Sequence, residues 1–120
     1  MREFLSITKA LSDEMRVRAL LALREGELCL CQLIELLDLA PATVSKHMDM
    51  LVRAGLVERR KDGRWCYFRL AGRQASSAVQ RALKWATDTL AADPLLGRDA
   101  DALKKLRKVD LKELSACYKS

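Results

Sequence analysis

The chain has 120 residues, a net charge of +6 and four cysteines, and half of its residues are apolar. That length suits a single domain with one hydrophobic core. No segment approaches the ~20 apolar residues of a membrane helix, and the charged N-terminus lacks the cleavage site of a signal peptide. A cytoplasmic protein is therefore expected, in which reduced cysteines serve as core residues, metal ligands or redox sensors rather than disulfides.

Helical periodicity dominates the first half of the chain. A first helix is predicted over residues 3–11, and a second begins at Ser12, an N-cap followed by two acidic residues, and stops at Gly26. A third helix is predicted over residues 32–38, and a fourth runs from Pro41 to Gly55, with proline at the first turn. The third and fourth helices, joined by a short link, predict a helix-turn-helix.

A β-hairpin is predicted next. Asp62-Gly63 indicates a type I′ turn between the arms Leu56–Arg60 and Arg64–Leu70. Alternation in the second arm places Cys66, Phe68 and Leu70 on one face and Trp65, Tyr67 and Arg69 on the other. The fold class is therefore mainly α with a small β-hairpin, a winged helix.

The C-terminal part of the chain is predicted to be helical as well. Residues 73–92 form a long helix that ends at Asp93-Pro94, and residues 99–117 show a weaker helical period. We therefore divide the chain into a winged helix-turn-helix domain for DNA binding and dimerisation, residues 1–92, and a helical or mobile extension, residues 93–120.

The positive charge is unevenly distributed. Residues 46–73 contain eight lysines and arginines against three acidic residues, which accounts for five of the six excess charges. Such a stripe is typical of a polyanion site, although a solvated face is the alternative for a charge run alone.

Two cysteines stand one residue apart in the segment ELCLC, residues 27–31. On a regular helix, residues i and i+2 lie about 200° apart. In extended backbone both sulfurs emerge on one face, with Cα atoms roughly 6.5 Å apart. We predict an extended segment in which Cys29 and Cys31 converge just before the third helix. The alternative is that both are small buried hydrophobic residues.

Four segments together resemble one known family across roughly residues 5–92. They are ALSDEMRVRALLAL, ELCLCQL, PATVSKHMDMLVRAGLV and RRKDGRWCYFRL. The chain resembles the ArsR/SmtB winged-helix repressors, most of all those that respond to arsenite and antimonite. The resemblance implies a homodimer, not an enzyme, that binds double-stranded operator DNA and is released by As(III) or Sb(III). It implies no organic cofactor and no membrane partner.

The resemblance also implies which residues bind the metalloid. Cys29 and Cys31 match two thiolate ligands, but the position of the family's usual third cysteine holds Ile34. Cys117 in the C-terminal tail, an added thiol or water would complete the site. Cys66 is expected to pack in the wing with Phe68 instead.

The DNA contacts follow from the position of the fourth helix. The early, exposed residues of a recognition helix meet base edges in the major groove, which favours Thr43, Ser45 and Lys46. His47 is interpreted as a packing or phosphate-contacting residue. On the hairpin, Arg60, Lys61 and Arg64 are expected to contact phosphate or the minor groove. Dimerisation is expected to use the first helix and residues 73–92, with Trp85 as an interface residue.

The histidine content and the thiols bear on three alternative functions. Residues 73–92 contain no histidine, which excludes the zinc site that some relatives build on their last long helix. A repressor of the same fold that senses oxidants or persulfides through Cys29 or Cys31 remains the alternative function. A thiol-exchange enzyme is not supported, because no neighbouring base partner is evident.

Overall fold

The structure, a computed structural model, describes the backbone of residues 1–116 and the side chains of residues 1–114. The described chain contains helices α1 to α7, at Arg2–Leu11, Glu14–Ala22, Leu30–Leu37, Pro41–Arg53, Ser77–Thr89, Pro94–Leu106 and Leu111–Ala116. Its strands β1 to β3 are Leu28–Cys29, Val57–Asp62 and Trp65–Leu70. None of these helices is long and apolar enough to span a membrane. The predicted winged helix is confirmed.

Asp13, not Ser12, is the N-cap of α2. The Asp13 carboxylate accepts hydrogen bonds from the backbone N–H groups of Met15 at 2.8 Å and Arg16 at 3.2 Å. Ser12 instead ends α1, where its hydroxyl donates to the Lys9 carbonyl at 2.8 Å. The prediction was wrong by one residue because serine and aspartate are about equally good caps, and local sequence does not rank them.

Helices α3 and α4 form the predicted helix-turn-helix. The chain turns at Asp38, whose φ of 53° lies in the left-handed region. Ala40 occupies the N-cap of α4 without a side-chain cap, and Pro41 fills the first turn, as predicted. Val44, Met48 and Leu51 are buried on one face of α4, which leaves the opposite face of this helix exposed.

The hairpin has its turn one residue later than predicted. Asp62 pairs with Trp65, so the two loop residues are Gly63 and Arg64. Gly63 has a φ of 60°, while Arg64 has a negative φ. That pattern matches a type II′ turn with glycine at its first position, not the type I′ turn expected from Asp62-Gly63.

A third strand joins the hairpin. Strand β1 pairs antiparallel with β3, with Leu28 opposite Phe68 and Cys29 opposite Tyr67, and gives the order β1-β3-β2. Leu28 and Phe68 are almost fully buried in the main core. Cys29 and Tyr67 therefore lie on the other face of the sheet.

The C-terminal helices pack back onto the domain. Helix α5 is shorter than the predicted 73–92 and begins after Ser76, whose hydroxyl accepts from Val79 N–H at 3.2 Å. Helix α6 begins at Pro94, not near residue 99, because Asp93 caps it. Its Asp99 receives two hydrogen bonds of 2.9 Å from the Arg18 guanidinium of α2. The division of the chain at residue 92 stays a prediction.

Candidate thiol site and nucleic-acid interface

The two thiols of the ELCLC segment lie where β1 changes into α3. Cys29 is the last residue of the strand and the N-cap of the helix, whereas Cys31 lies in the first helical turn. The prediction of an extended backbone through Cys31 was therefore wrong. The helix begins early because Cys29 and Gln32 form a reciprocal capping box, in which Gln32 Oε1 accepts the Cys29 N–H at 2.8 Å.

The two side chains nevertheless converge. The Cys31 thiol hydrogen-bonds to the Cys29 sulfur, which lowers the pKa of Cys29 to about 6 against the opposing effect of burial. Backbone N–H groups at the start of α3 and at Cys66 lower the Cys29 pKa further. The same thiol hydrogen bond, together with burial, raises the pKa of Cys31. This hydrogen bond therefore favours the thiolate form of Cys29 over that of Cys31.

A shell of apolar side chains encloses this pair. Cys29 is 2% and Cys31 5% exposed. The residues packed around them come from β3, the end of α6, and α7: Trp65, Tyr67, Leu106, Leu111 and Leu114. Arg107, between α6 and α7, bonds to the residues just before β1. Its guanidinium donates to the carbonyls of Glu27 at 3.1 Å and Gly26 at 3.3 Å. Helix α7 therefore covers the thiols.

Among the described side chains, two cysteine sulfurs lie at this place. Cys66 belongs to the opposite face of β3, where it packs against the main core with Phe68, as the alternation predicts. Ile34 is 4% exposed and also lies in the core. Through residue 114, no group of three His, Cys, Asp or Glu side chains has metal-binding geometry. Cys117 lies outside the described residues.

The outer face of α4 carries the predicted DNA-contacting residues. Thr43 and Lys46 are exposed, while Ser45 and His47 are half-buried. Residues 43, 46 and 47 share one face of the helix because they are three and four positions apart. The ring of His47 contacts Arg16 of α2, with Nδ1 3.1 Å from the Arg16 Nη1 atom.

The wing residues differ in their partners. The Arg60 guanidinium donates to both carboxylate oxygens of Glu27, at 2.6 Å and 3.1 Å, and lies over the Tyr67 ring, 4.4 Å from its centroid. Lys61 and Arg64 are exposed and make no ion pair among the described side chains. The Glu27 contact was not predicted, because 33 residues separate it from Arg60 and no local pattern joins them.

Large apolar side chains are exposed on α1 and on α5, two helices that pack together; we call these residues the α1–α5 patch. Phe4 is 63%, Leu5 54% and Trp85 65% exposed. Ser76, the cap of α5, donates a 2.7 Å hydrogen bond to Glu3 of α1, which holds the two helices together. Single exposed apolar residues are ordinary, but several large ones on two helices that pack together favour an interface.

Sequence comparison places this architecture among known regulators. Residues 13–59 match the family "bacterial regulatory protein, arsR family". An uncharacterised HTH-type transcriptional regulator of Methanocaldococcus jannaschii is 38% identical over 63 residues, 52% of this chain and 71% of that protein. The chain belongs to the ArsR family. This family comprises regulators and not enzymes, which confirms that prediction.

Two other relatives carry names that refer to arsenic or cadmium. The arsenic resistance transcriptional regulator ArsR1 of Pseudomonas putida is 43% identical over 74 residues, 58% of each chain. A cadmium resistance regulatory protein, the CadC homolog of Staphylococcus aureus, is 35% identical over 77 residues, 63% of this chain and 64% of that protein. The chain spans about three fifths of the length of these two curated relatives.

A solved structure shows the same fold. The winged helix-turn-helix domain of Mb0332 from Mycobacterium bovis, described as homodimeric and DNA-binding, has a TM-score of 0.63 at 26% identity. The match covers 75% of this chain and 80% of that one.

Proposed function

We propose that this ArsR-family protein is a cytoplasmic transcriptional repressor that binds operator DNA as a homodimer and is released by As(III) or Sb(III). The observation that carries the proposal is the thiol pair at the start of α3, the helix that packs against α4. A metalloid bound to Cys29 and Cys31 would act on the helix that supports the recognition helix.

Binding to DNA is supported by the outer face of α4 and by the wing. Thr43 and Lys46 project from the N-terminal half of α4, the part of a recognition helix that meets base edges. Lys61 and Arg64, exposed at the tip of the hairpin, supply charges for phosphate. Together with Ser45, His47 and Arg60, these residues form the proposed DNA surface.

Homodimer formation is supported by the apolar patch on α1 and α5. Phe4, Leu5 and Trp85 are large side chains that a lone domain leaves in water. The patch and the thiols lie on different helices and strands, so we expect the dimer to persist with and without ligand.

Sedimentation at micromolar concentration measures the oligomeric state. A monomer that still binds its operator tightly would contradict the proposed dimer.

The capping role of Cys29 couples ligand and DNA. Its sulfur lies at the N-terminus of α3, where a cap contributes ~1 kcal/mol to helix stability. A metalloid bound to this sulfur takes lone-pair density from the cap and draws Cys31 toward the shared ligand. Couplings between sites amount to about 1–3 kcal/mol, so a disturbance of one cap is of the right size to change DNA affinity.

Trivalent arsenic and antimony form stable bonds with thiolates, and three sulfurs complete their coordination. Cys29 and Cys31 supply two. Cys117 follows the last described residue of α7, the helix whose Leu114 covers the pair. We propose that Cys117, in the same chain or its partner, supplies the third sulfur, and that a small added thiol or water takes its place when it does not.

Release of DNA from cysteine variants tests the function. A duplex selected from random sequence for binding to the ligand-free protein is titrated with arsenite, antimonite or Cd(II) in a mobility-shift assay. Wild type should release the duplex, whereas Cys29→Ser and Cys31→Ser should bind it and ignore the metalloid. Cys66→Ala, the matched control on the opposite face of the sheet, should respond as wild type does. Release from the Cys29/Cys31 double variant would refute the assignment.

The third ligand has its own measurement. X-ray absorption on the arsenite complex counts the sulfur atoms around arsenic in wild type and in Cys117→Ser. Three sulfurs in wild type and two in the variant support Cys117. Unchanged coordination with normal DNA release would remove the C-terminal cysteine from the site.

A second candidate function uses the same thiols for redox sensing. The Cys29 sulfur, with its pKa lowered by the Cys31 thiol to about 6, is largely thiolate at neutral pH and lies against a second sulfur. Oxidation by a peroxide would join them in a disulfide: the thiolate and the thiol lose two electrons and one proton, and the peroxide is reduced to water and hydroxide. Mass spectrometry after treatment with peroxide or polysulfide, set against the arsenite titration, distinguishes the two inducers.

A further inference from the structure

A single arginine joins three segments around the start of α2. The Arg16 guanidinium donates from Nε to the Ala10 carbonyl at 2.9 Å and from Nη2 to the Lys9 carbonyl at 3.2 Å. These carbonyls belong to the last turn of α1, where helix acceptors lack intrahelical partners. Only 11% of the Arg16 side chain is exposed, and Asp13, 4.0 Å away, is its acidic neighbour. The guanidinium is therefore held by several contacts at once.

Its remaining contact is to the recognition helix. Arg16 Nη1 lies 3.1 Å from His47 Nδ1. Arginine has only N–H donors, so Nδ1 of His47 must be the acceptor and carry no proton. A neutral ring then has its one proton on Nε2. Arg16 thereby selects one of the two tautomers of the imidazole.

The opposite ring nitrogen is left for an outside partner. Within the described residues, Nε2 of His47 makes no hydrogen bond, and no buried side-chain nitrogen or oxygen there lacks a partner. Nε2 therefore contacts solvent. His47 shares its helix face with the exposed Thr43 and Lys46, the face assigned to DNA.

We propose that Arg16 is a positioning residue for DNA binding, which holds His47 as the Nε2–H tautomer so that this N–H donates to a phosphate oxygen of the duplex. The inference rests on the proposed DNA-binding function and adds to it a residue that lies on α2 and does not itself touch the nucleic acid. Without Arg16, the ring would exchange between tautomers and orientations, and the donor would be present only part of the time.

The geometry of this contact requires arginine. Its planar fork directs Nε, Nη1 and Nη2 at three different acceptors, whereas a lysine ammonium has one nitrogen on a flexible stem. Arg16→Lys should therefore keep the charge beside His47 but lose the fixed donor. Arg16→Met removes the donor and keeps the length of the side chain.

The tautomer is tested first, in the full chain without DNA. The chain has a single histidine, so a long-range ¹H–¹⁵N spectrum of the ¹⁵N-labelled protein shows only its ring. Wild type at neutral pH should show a protonated Nε2 and a bare Nδ1. Arg16→Met and Arg16→Lys should show averaged nitrogens. A wild-type ring protonated at Nδ1, or averaged like the variants, would overturn the proposal without any DNA measurement.

DNA affinity is tested second, by filter binding to the selected duplex. His47→Ala and Arg16→Met should each weaken binding about tenfold, the usual effect of one hydrogen bond to a charged group. The double variant should bind no more weakly than either single one, because both changes remove the same donor. Arg24→Met is the matched control, since that half-buried guanidinium donates to the Leu21 carbonyl and does not touch His47.

The two proposals fail in different ways. Wild type that binds no duplex, with the Nε2–H tautomer present, would refute DNA binding alone. Wild type that binds normally while His47→Ala also binds normally would refute the role of Arg16 and His47. Should Arg16→Met fail to fold, Arg16→Lys and the wild-type spectrum still decide the question.

Discussion

The thiol site and the DNA surface differ in how open they are. Cys29 and Cys31 are closed off under the leucines of α7, whereas Thr43, Lys46 and Lys61 project into water. Under the proposed function, DNA would therefore dock on the ligand-free protein without rearrangement of these residues. A metalloid would reach the thiols only when α7 moves away. The proposed response to ligand thus depends on a local opening, whereas the proposed DNA binding does not.

The two regions also differ in the forces that hold them. The surroundings of the thiols are leucine and aromatic side chains, whose packing is insensitive to salt. The DNA surface relies on exposed charges, which salt screens. This contrast leads to four predictions.

Salt should have the largest effect. A dimer that neutralises six or more phosphates should lose about a thousandfold or more in DNA affinity between 50 and 200 mM salt. Over the same range, the rate at which the enclosed thiols react with a neutral disulfide reagent should change little. Filter binding and thiol-reaction kinetics measure the two. A flat salt response of DNA binding would contradict the assigned surface.

Weakening the cover over the thiols should have the next largest effect. Leu114→Ala removes apolar contact worth on the order of 2 kcal/mol, so the thiols should react about thirtyfold faster. Affinity for the duplex should stay as in wild type. The experiment uses a Cys117→Ser background, so that the measured thiol reaction comes only from Cys29, Cys31 and Cys66. Reactivity equal to wild type would show that α7 does not limit access.

Single DNA contacts should have smaller effects. Lys46→Ala, on the recognition helix, should reduce discrimination between the selected duplex and random duplexes by about 1–3 kcal/mol. Arg60→Ala, on the wing, should weaken binding to all duplexes alike and lower the salt slope by about one. Competition binding with specific and random duplexes distinguishes the two effects. An equal loss of affinity for both duplexes in Lys46→Ala would show that Lys46 contacts phosphate rather than bases.

Acidity should change the stability of the fold, through Cys29. Because its pKa is lowered from the usual 9.0 to about 6, the folded chain binds fewer protons than the unfolded chain between those values. The Cys29 contribution to stability is therefore present above pH 9 and is lost as the pH falls to about 6. Because the pKa of Cys31 is raised above 9.0, its contribution to stability changes only above pH 9. Urea unfolding of wild type and Cys29→Ala from pH 6 to 9 should show a stability difference that grows with pH.

The fold was largely readable from the sequence because its signals are local. Apolar spacing located the helix-turn-helix, and alternation assigned Cys66 and Trp65 to opposite faces of β3. The errors lie at boundaries, where alternatives are close in energy. The early start of α3 had a signal that was missed, since Gln32 follows Cys29 by three residues, as in a capping box.

The site was readable only in part. The sequence indicated the two thiols, but their enclosure depends on Leu111 and Leu114, which follow them by at least 80 residues. The contacts of Arg60 with Glu27 and of Arg16 with His47 likewise join residues that are 33 and 31 positions apart. A single sequence does not show which distant residues come into contact. These contacts form only when the helices and strands pack together.

The two tryptophans of the chain lie in different regions of the molecule. Trp65 packs beside the thiols, and Trp85 stands exposed on the α1–α5 patch. Indole emission depends on polarity and on nearby sulfur, so each ring serves as an intrinsic optical probe of its own surroundings. In a Trp85→Phe protein, arsenite should quench or shift the emission of Trp65. In a Trp65→Phe protein, dilution should redden the emission of Trp85 as subunits separate. Ligand occupancy and subunit association can thus be followed separately by light, without any attached dye.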